Sequence, residues 1–157
     1  MELGIDPFPA VETEENMLVY LKRKEHFSAA HRMFREDWPM AKNLEVFGKC
    51  ANPNYHGHNY TLTVTVKGNI DDSNPYVINL KTLKDLIRDN VIEELDHKNL
   101  NLGVEMMKGK MVTTELLCIA IFEKLKAPVE ASEGVLLHSV HLAETDSNSA
   151  EYFGEAP

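Results

Sequence analysis

Three histidines, a cysteine and an Asp–His pair could carry chemistry in this 157-residue sequence. His56 and His58 flank one glycine at the head of "HGHNYTLTVTVKG", which reads as a β-strand. Side chains alternate along a strand, so both histidines share the face of Tyr60, Leu62, Val64 and Val66. That face is apolar and must point to the core, with the histidines at its entry end. Two inward histidines are equally well explained as satisfied core residues. His31, which ends "FSAAH", shifts the balance because it can reach the same end of the sheet. Three neutral imidazoles suit Zn2+ and leave a fourth position open to a substrate oxygen. Closure by a nearby cysteine, as a purely structural site, is the bland alternative.

Cys50 is that cysteine; five residues separate it from His56. A thiol of ordinary pKa, about 8.5, is a poor base at neutral pH, but beside a metal or an imidazolium it becomes a thiolate. Asp96 directly precedes His97 in "LDHKN". A carboxylate that holds an imidazole sets its tautomer and raises its basicity. Helix-end electrostatics is the simpler local account of the same pair. Glu144 ends the row Leu136, His138, Val140, Leu142, where a carboxylate is costly without a partner. Thr113, Thr114 and Glu115 suit a helix start, with a threonine as cap and the acid complementing the dipole. Cys118 lies in an apolar helical stretch and reads as core. His26, His138 and His141 read as structural, and Arg32, Lys42 and Lys49 as solvated charges.

These residues need elements to position them. Residues 1–16 form an acidic arm, and residues 17–157 a single domain. A first strand runs from about Met17 to Phe27, followed by a turn of small residues. Residues 32–55 have no clean period and read as a long excursion of the functional kind. A helix is expected from about Leu80 to Leu95. A second starts near Thr113, with Pro128 beyond its end. A last strand or hairpin carries Glu144. Grouped strands and grouped helices predict an α+β fold with an antiparallel sheet.

A net charge of −9 leaves no basic face for nucleic acid, and an anionic substrate would need a local basic pocket. No stretch approaches the ~20 apolar residues of a membrane span. The N-terminus lacks the pattern of a signal peptide. Two cysteines make a poor disulfide framework, so free thiols in a reducing, cytoplasmic setting are expected.

Five segments in order, "FSAAHR", "CANPNYHGHNY", "VINLKTLK", "LDHKNLN" and "TTE" with "ETDSN", resemble the 6-pyruvoyl-tetrahydropterin synthase family from about Val19 to Thr145. The resemblance implies the T-fold: a four-stranded antiparallel sheet with two helices packed on one face. Subunits of that fold join sheets edge to edge into a barrel of three, and two barrels stack as a homohexamer, a dimer of trimers. It implies His31, His56 and His58 as zinc ligands and Cys50 as the proton-abstracting base. Asp96 and His97 would supply a relay from a neighbouring subunit. Glu144 would anchor the pterin ring, and Thr113, Thr114 and Glu115 would line its pocket.

The implied reaction converts 7,8-dihydroneopterin triphosphate to 6-pyruvoyl-tetrahydropterin in tetrahydrobiopterin biosynthesis. Triphosphate is eliminated and no external redox cofactor is used. The 6-carboxy-tetrahydropterin synthases of the queuosine (deazapurine) pathway share fold, substrate and zinc. The distance of Cys50 from "HGH" and the Asn79-Leu80 pair favour the pyruvoyl branch over them. A further branch with glutamate in place of the cysteine cleaves the side chain, and Cys50 speaks against it. A non-catalytic zinc- and pterin-binding module would have no need of Cys50, Asp96 and His97. Ala51 and Tyr55 depart from the family's usual "CNNPNGHGHNY", and Tyr55 is bulky beside a zinc ligand.

Overall fold

The computed structural model describes residues 16–157. The arm expected over residues 1–16 lies outside them except for its last residue. Two long strands form the frame, β1 (Met17–His31) and β2 (His56–Ile70). They pair antiparallel from Met17↔Ile70 to His31↔His56 without a break. β1 therefore continues through Ser28, Ala29 and Ala30 to His31, where a turn of small residues was expected. Those small residues serve close approach instead: a Cβ on Gly57 would lie 3.2 Å from the Ala29 carbonyl oxygen.

The excursion over 32–55 is not irregular throughout. It contains helix α1 (Met40–Phe47) and a 3-10 turn (Gly48–Ala51). Pro39 precedes the first turn of α1 and Gly48, at φ 56°, ends it. Buried Asn43 organises the preceding loop. Its amide donates to the carbonyls of Arg35 at 2.9 Å and Trp38 at 3.2 Å, and its oxygen accepts from the Arg35 N–H at 2.7 Å. One side chain thus satisfies backbone groups that an irregular segment would leave orphaned.

Helix α2 (Leu80–Ile87) is capped by Asn79, whose Oδ1 accepts from the N–H groups of Lys81 at 2.9 Å and Thr82 at 3.3 Å. It runs through a π turn (Arg88–Ile92) into α3 (Glu93–Leu95), covering the helix expected from Leu80 to Leu95. Leu83, Ile87, Val91, Ile92 and Leu95 are buried, whereas Leu80 is exposed. The extra residue of the π turn lets the adjacent Val91 and Ile92 both face inward. β3 (Lys98–Asn99) then pairs parallel with Ala29 and Ala30.

Helix α4 (Thr114–Glu130) is capped by Thr113, whose hydroxyl accepts from the Leu116 N–H at 3.2 Å. Such a cap contributes about 1 kcal/mol. Pro128 lies inside the last turn of α4, not beyond it. It costs one backbone hydrogen bond, and the turn persists because Val129, next to it, is fully buried. The Cys118 thiol of α4 is buried, donates to the Val140 carbonyl at 3.1 Å, and is pushed up by burial to about 11.

β4 (Leu136–Ala143) and β5 (Ser149–Tyr152) form a hairpin. The β2–β4 register slips between Thr65↔Ser139 and Val66↔Leu137, which leaves His138 as an unpaired bulge. A one-residue slip exchanges faces. Leu137 is therefore buried and Leu136 exposed, and the inward row expected from Leu136 holds only from Val140 onward.

The fold is α+β. The sheet order is β3-β1-β2-β4-β5, so the sheet is mixed and five-stranded. A four-stranded antiparallel sheet was expected; the short β3, parallel to β1, makes it mixed and five-stranded. α2 and α4 pack against each other, and α4 also packs on β4 and β5. The core between the layers centres on Leu62, Val64, Val66, Leu83, Ile121, Leu125 and Leu142, all fully buried.

Candidate metal centre and active site

Register alone brings the histidines together. His31 and His56 are direct cross-strand partners at the end of the β1–β2 ladder, and His58 lies two residues on along the same face. The ring centroids are 4.6 Å (His31–His56), 5.1 Å (His31–His58) and 4.9 Å (His56–His58) apart. One nitrogen from each ring lies within 4.8 Å of the others. Tyr60, stacked on Phe27 at 4.8 Å, forms the floor beneath them.

His31 is 1 % exposed, and its Nδ1 lies 2.9 Å from the carbonyl of Val112, just before α4. In the neutral ring Nδ1–H donates to that carbonyl, which leaves the Nε2 lone pair aimed at the other histidines. His31 Nε2, both His56 ring nitrogens and His58 Nε2 are buried without a hydrogen-bond partner. Buried orphans of this kind are rare, and here they converge on one point. The donor set fits a divalent metal ion.

Burial, foremost, holds the His31 and His56 imidazoles below the ordinary histidine range, and repulsion from neighbouring rings adds to it. The unfolded chain takes up protons on these residues near pH 6.5, while the folded chain resists them. Stability of the metal-free protein is therefore expected to be full above that pH and to fall progressively below it. Denaturant midpoints across pH 5 to 8 check this, and a flat profile would contradict it.

Glu144 follows β4 directly and opens the turn to β5. That turn is closed by the Glu144 N–H on the Asn148 carbonyl at 3.0 Å and by the Thr145 hydroxyl, which accepts from Ser147 and Asn148. The Glu144 Oε1 lies 3.2 Å from His31 Nε2 and 3.3 Å from His58 Nε2. The acid at the end of an apolar row is thus directed at the imidazole cluster. Thr113 and Thr114, partly exposed, follow Val112 at the same end of the sheet, and Glu115 is exposed.

Cys50 is half-buried in the 3-10 turn, and its carbonyl accepts from the Met33 N–H at 2.8 Å. This bond ties the cysteine turn to the chain leaving His31. Ala51 is fully buried. Tyr55 occupies the left-handed region at φ 64°, where a glycine is at ease and a bulky residue is strained by ~1–3 kcal/mol. It lines a cavity with Phe34, Arg35, Asn101, Met107 and Met111. Arg32 is not a freely solvated charge. Its guanidinium stacks on Phe34 at 3.9 Å, and its Nε is buried without a partner.

Asp96 and His97 form a pair at the edge of β1. Asp96 Oδ1 accepts from the Ser28 N–H at 2.9 Å, and its Oδ2 lies 2.9 Å from His97 Nδ1. The Ser28 N–H, and then His97, hold the Asp96 carboxyl below its ordinary range. His97 also sits at a positive φ, 58°, with its side chain 82 % exposed. Among the described residues, no hydrogen bond or ion pair joins this pair to Cys50 or to the histidine cluster. His26, His138 and His141 stand apart; His26 lies by Thr61 and His138 packs edge-on against Tyr20.

Sequence reasoning missed the Val112 carbonyl, which acts through its backbone. It also missed Asn101, which accepts from the Arg32 N–H at 2.9 Å and donates to the Arg32 carbonyl at 3.0 Å. The repeated asparagines of "NLNLG" were the only trace of that clamp.

The profile of the 6-pyruvoyl tetrahydropterin synthase family matches residues 20–155. A 6-pyruvoyl tetrahydrobiopterin synthase of Drosophila melanogaster is 41 % identical over 89 % of this chain and 82 % of its own length. The protein of that name from Homo sapiens is 38 % identical over 86 % of this chain and 91 % of its own. The solved 6-pyruvoyl tetrahydropterin synthase of Caenorhabditis elegans superposes with a TM-score of 0.80 at 38 % identity, over 88 % of this chain and 97 % of that one. Among the described residues, no helix is long and apolar enough to cross a membrane.

Proposed function

The chain belongs to the 6-pyruvoyl tetrahydropterin synthase family, and on that premise we propose the reaction and the role of each residue in this chain. It is a lyase that converts 7,8-dihydroneopterin triphosphate to 6-pyruvoyl-tetrahydropterin and releases triphosphate. Oxidation of the two side-chain carbinols is balanced by reduction of the ring and loss of the phosphate ester, so no external oxidant enters. The observation that carries the reading is the cluster of His31, His56 and His58, with Glu144 against it, at the open end of the strand face. His31, His56 and His58 would hold zinc, which when bound polarises the side-chain oxygens and acidifies the adjacent C–H bonds.

The chain's own residues do the rest. Glu144 accepts hydrogen bonds from the pterin ring N–H and amino group. Thr113, Thr114 and Glu115 border the ring, with Thr113 committed through its hydroxyl to the helix cap. Cys50 removes a side-chain proton as thiolate. Asp96 fixes the His97 imidazole through Nδ1 and leaves Nε2 free to pass protons. The exposure of His97 and its separation from Cys50 within one chain favour delivery across a subunit boundary.

Residues 17–157 act as one catalytic T-fold domain in a homohexamer, a dimer of trimers with barrel-forming sheets. In support, most of β1 and the outer side of β5 are open edges in the sheet order. Such edges invite pairing with another chain. The proposed setting is cytoplasmic and the substrate a small-molecule pterin triphosphate, whose anionic tail needs a local basic pocket in a chain of net charge −9.

The test is product identity. Zinc-loaded protein incubated with 7,8-dihydroneopterin triphosphate is expected to release triphosphate and a pyruvoyl pterin, identified by mass. A carboxy pterin with acetaldehyde would place the chain in the deazapurine branch. Zinc and pterin binding without turnover would make it a binding module.

A further inference from the structure

We infer that Glu25 and Arg88 are a positioning pair for the Asp96–His97 relay: they pin the π turn to β1 and so set where the acid and the imidazole stand. This rests on the relay role proposed above. The inward row of β1 runs Leu21, Arg23, Glu25, Phe27, Ala29, His31. Two charged residues interrupt a row that packing alone would make apolar, and Glu25 is only 7 % exposed. Its Oε1 accepts from Arg23 Nε at 2.9 Å and Nη2 at 2.7 Å, and its Oε2 accepts from Arg88 Nη1 at 3.2 Å. Arg23 is a local partner two residues away. Arg88 belongs to another element, 63 residues on. A buried ion pair contributes little net stability over a well-packed apolar pair, because both charges lose water. What it adds here is a fixed relative placement of strand and turn.

The segment so placed is the one that carries the relay. Arg88 opens the π turn, and its carbonyl accepts from the Glu93 N–H, the wide bond that defines such a turn. The chain then runs through α3 to Asp96, whose N–H donates to the Ile92 carbonyl at 2.8 Å. β1 grips the segment a second time at Ser28. The Ser28 N–H donates to Asp96 Oδ1 at 2.9 Å, and the Ser28 carbonyl accepts from the His97 N–H at 2.6 Å. Glu25 and Ser28 are three residues apart, about 10 Å along an extended strand. One strand therefore holds residues 88–97 at both ends. Among the described residues, Glu25 is the one hydrogen-bond partner of the Arg88 guanidinium. With that end released, only the Ser28 contacts would hold His97, whose backbone at φ 58° is itself strained. A misplacement of about 1 Å at a reacting group can cost as much as a hundredfold in rate, so slack at Arg88 would reach the chemistry.

Steady-state kinetics of the full-length, zinc-loaded protein with 7,8-dihydroneopterin triphosphate test this, beside zinc content and thermal midpoints. Glu25→Gln keeps the shape and removes the charge. It should lower kcat about tenfold, with KM and zinc content at wild-type values. In an Asp96→Asn background the same change should cost almost nothing further, because the group it positions is already impaired. Replacing both partners by apolar side chains, Glu25→Leu with Arg88→Met, should bring the midpoint back toward wild type and leave kcat low. That double variant also carries the test should Glu25→Gln fail to fold. Recovery of kcat together with the midpoint would make the pair a packing element and overturn the inference. Equal losses from Glu25→Gln in both backgrounds would overturn it as well, since a general loosening adds and positioning does not. So would a wild-type kcat in Glu25→Gln beside an impaired Asp96→Asn, which would leave the relay standing. Full activity of Asp96→Asn would remove the relay itself, and this inference with it.

Discussion

His31→Ala is expected to release the metal and to lower turnover by roughly a thousandfold. Lewis-acid stabilisation is worth several kcal/mol, and each ~1.4 kcal/mol is a factor of ten in rate. His31 is the histidine on which the centre depends most. It is the one fully buried imidazole of the three, it is oriented by the Val112 carbonyl, and it faces the Glu144 oxygen. Removing its ring also leaves a cavity and an unpaired carbonyl, so the metal-free variant should be less stable by about 2–3 kcal/mol. His56→Ala separates the two effects. His56 is only partly buried and its ring nitrogens have no partner, so its loss should release zinc with a smaller stability cost. Zinc content after dialysis and thermal midpoints of the metal-free proteins check this. A His31→Ala protein that keeps one tightly held zinc would refute the assignment.

The second large effect concerns Cys50. Cys50→Ala should lower kcat by about 10²- to 10⁴-fold, the usual range for loss of a general base. Zinc content and thermal midpoint should stay at wild-type values, because the side chain is small, half-buried and free of any disulfide. Asp96→Ala should also lose activity, through the unpinned His97 imidazole. If the relay acts across a subunit boundary, oligomers formed by unfolding and refolding the two inactive chains together will contain interfaces with an intact Cys50 and an intact Asp96–His97 pair. Those mixtures should recover activity that neither chain has alone. Mixed oligomers of proven composition that remain inactive would place the relay within one subunit, or remove it.

What could be read from the sequence was whatever local rules decide. The alternation from His56 to Val66 is a local pattern, and it set the shared face of two histidines correctly. The threonine cap at the start of the second helix is local too, and both helices start where they were expected, near Leu80 and near Thr113. The failures share a cause: each depended on a distant partner. Ser28–Ala30 looked like a turn because alanine and serine are poor strand formers, yet Gly57 opposite and β3 alongside hold them extended. Lys98–Asn99 carries no strand signal and pairs only because β1 offers an edge. The bulge at His138 is invisible in β4 alone, since it appears only against Thr65 and Val66 of β2. Pro128 was read as a stop because its own residue type argues for one, whereas burial of Val129 decides the matter.

The candidate site divides along the same line. His56 and His58 were legible from spacing and His31 as a residue able to reach the same sheet end, but its direct pairing with His56 was not, because that depends on β1 running on to residue 31. The contact of Glu144 with two of the histidines was not legible. The sequence marked it as an acid in an apolar row without saying what it meets, because that depends on β2 and β4 being in register at Leu62↔Leu142. The strain at Tyr55 and His97 was equally hidden, since φ is not written in residue type.

The π turn at Arg88–Ile92 bears on how such a protein tolerates insertions and deletions. A π turn holds one residue more than the helix needs, and each helical residue turns the chain by about 100°. Losing any one residue of that turn would let α2 and α3 fuse into one regular helix, a local gain in hydrogen-bond geometry. Everything downstream would then arrive about 100° away around the axis. Asp96 would no longer meet the Ser28 N–H, and His97 would leave its place beside β1. A deletion that looks like a repair of the helix would thus misdirect the acid–imidazole pair. The irregular turn acts as an angular spacer that links a packing helix to a chemical address.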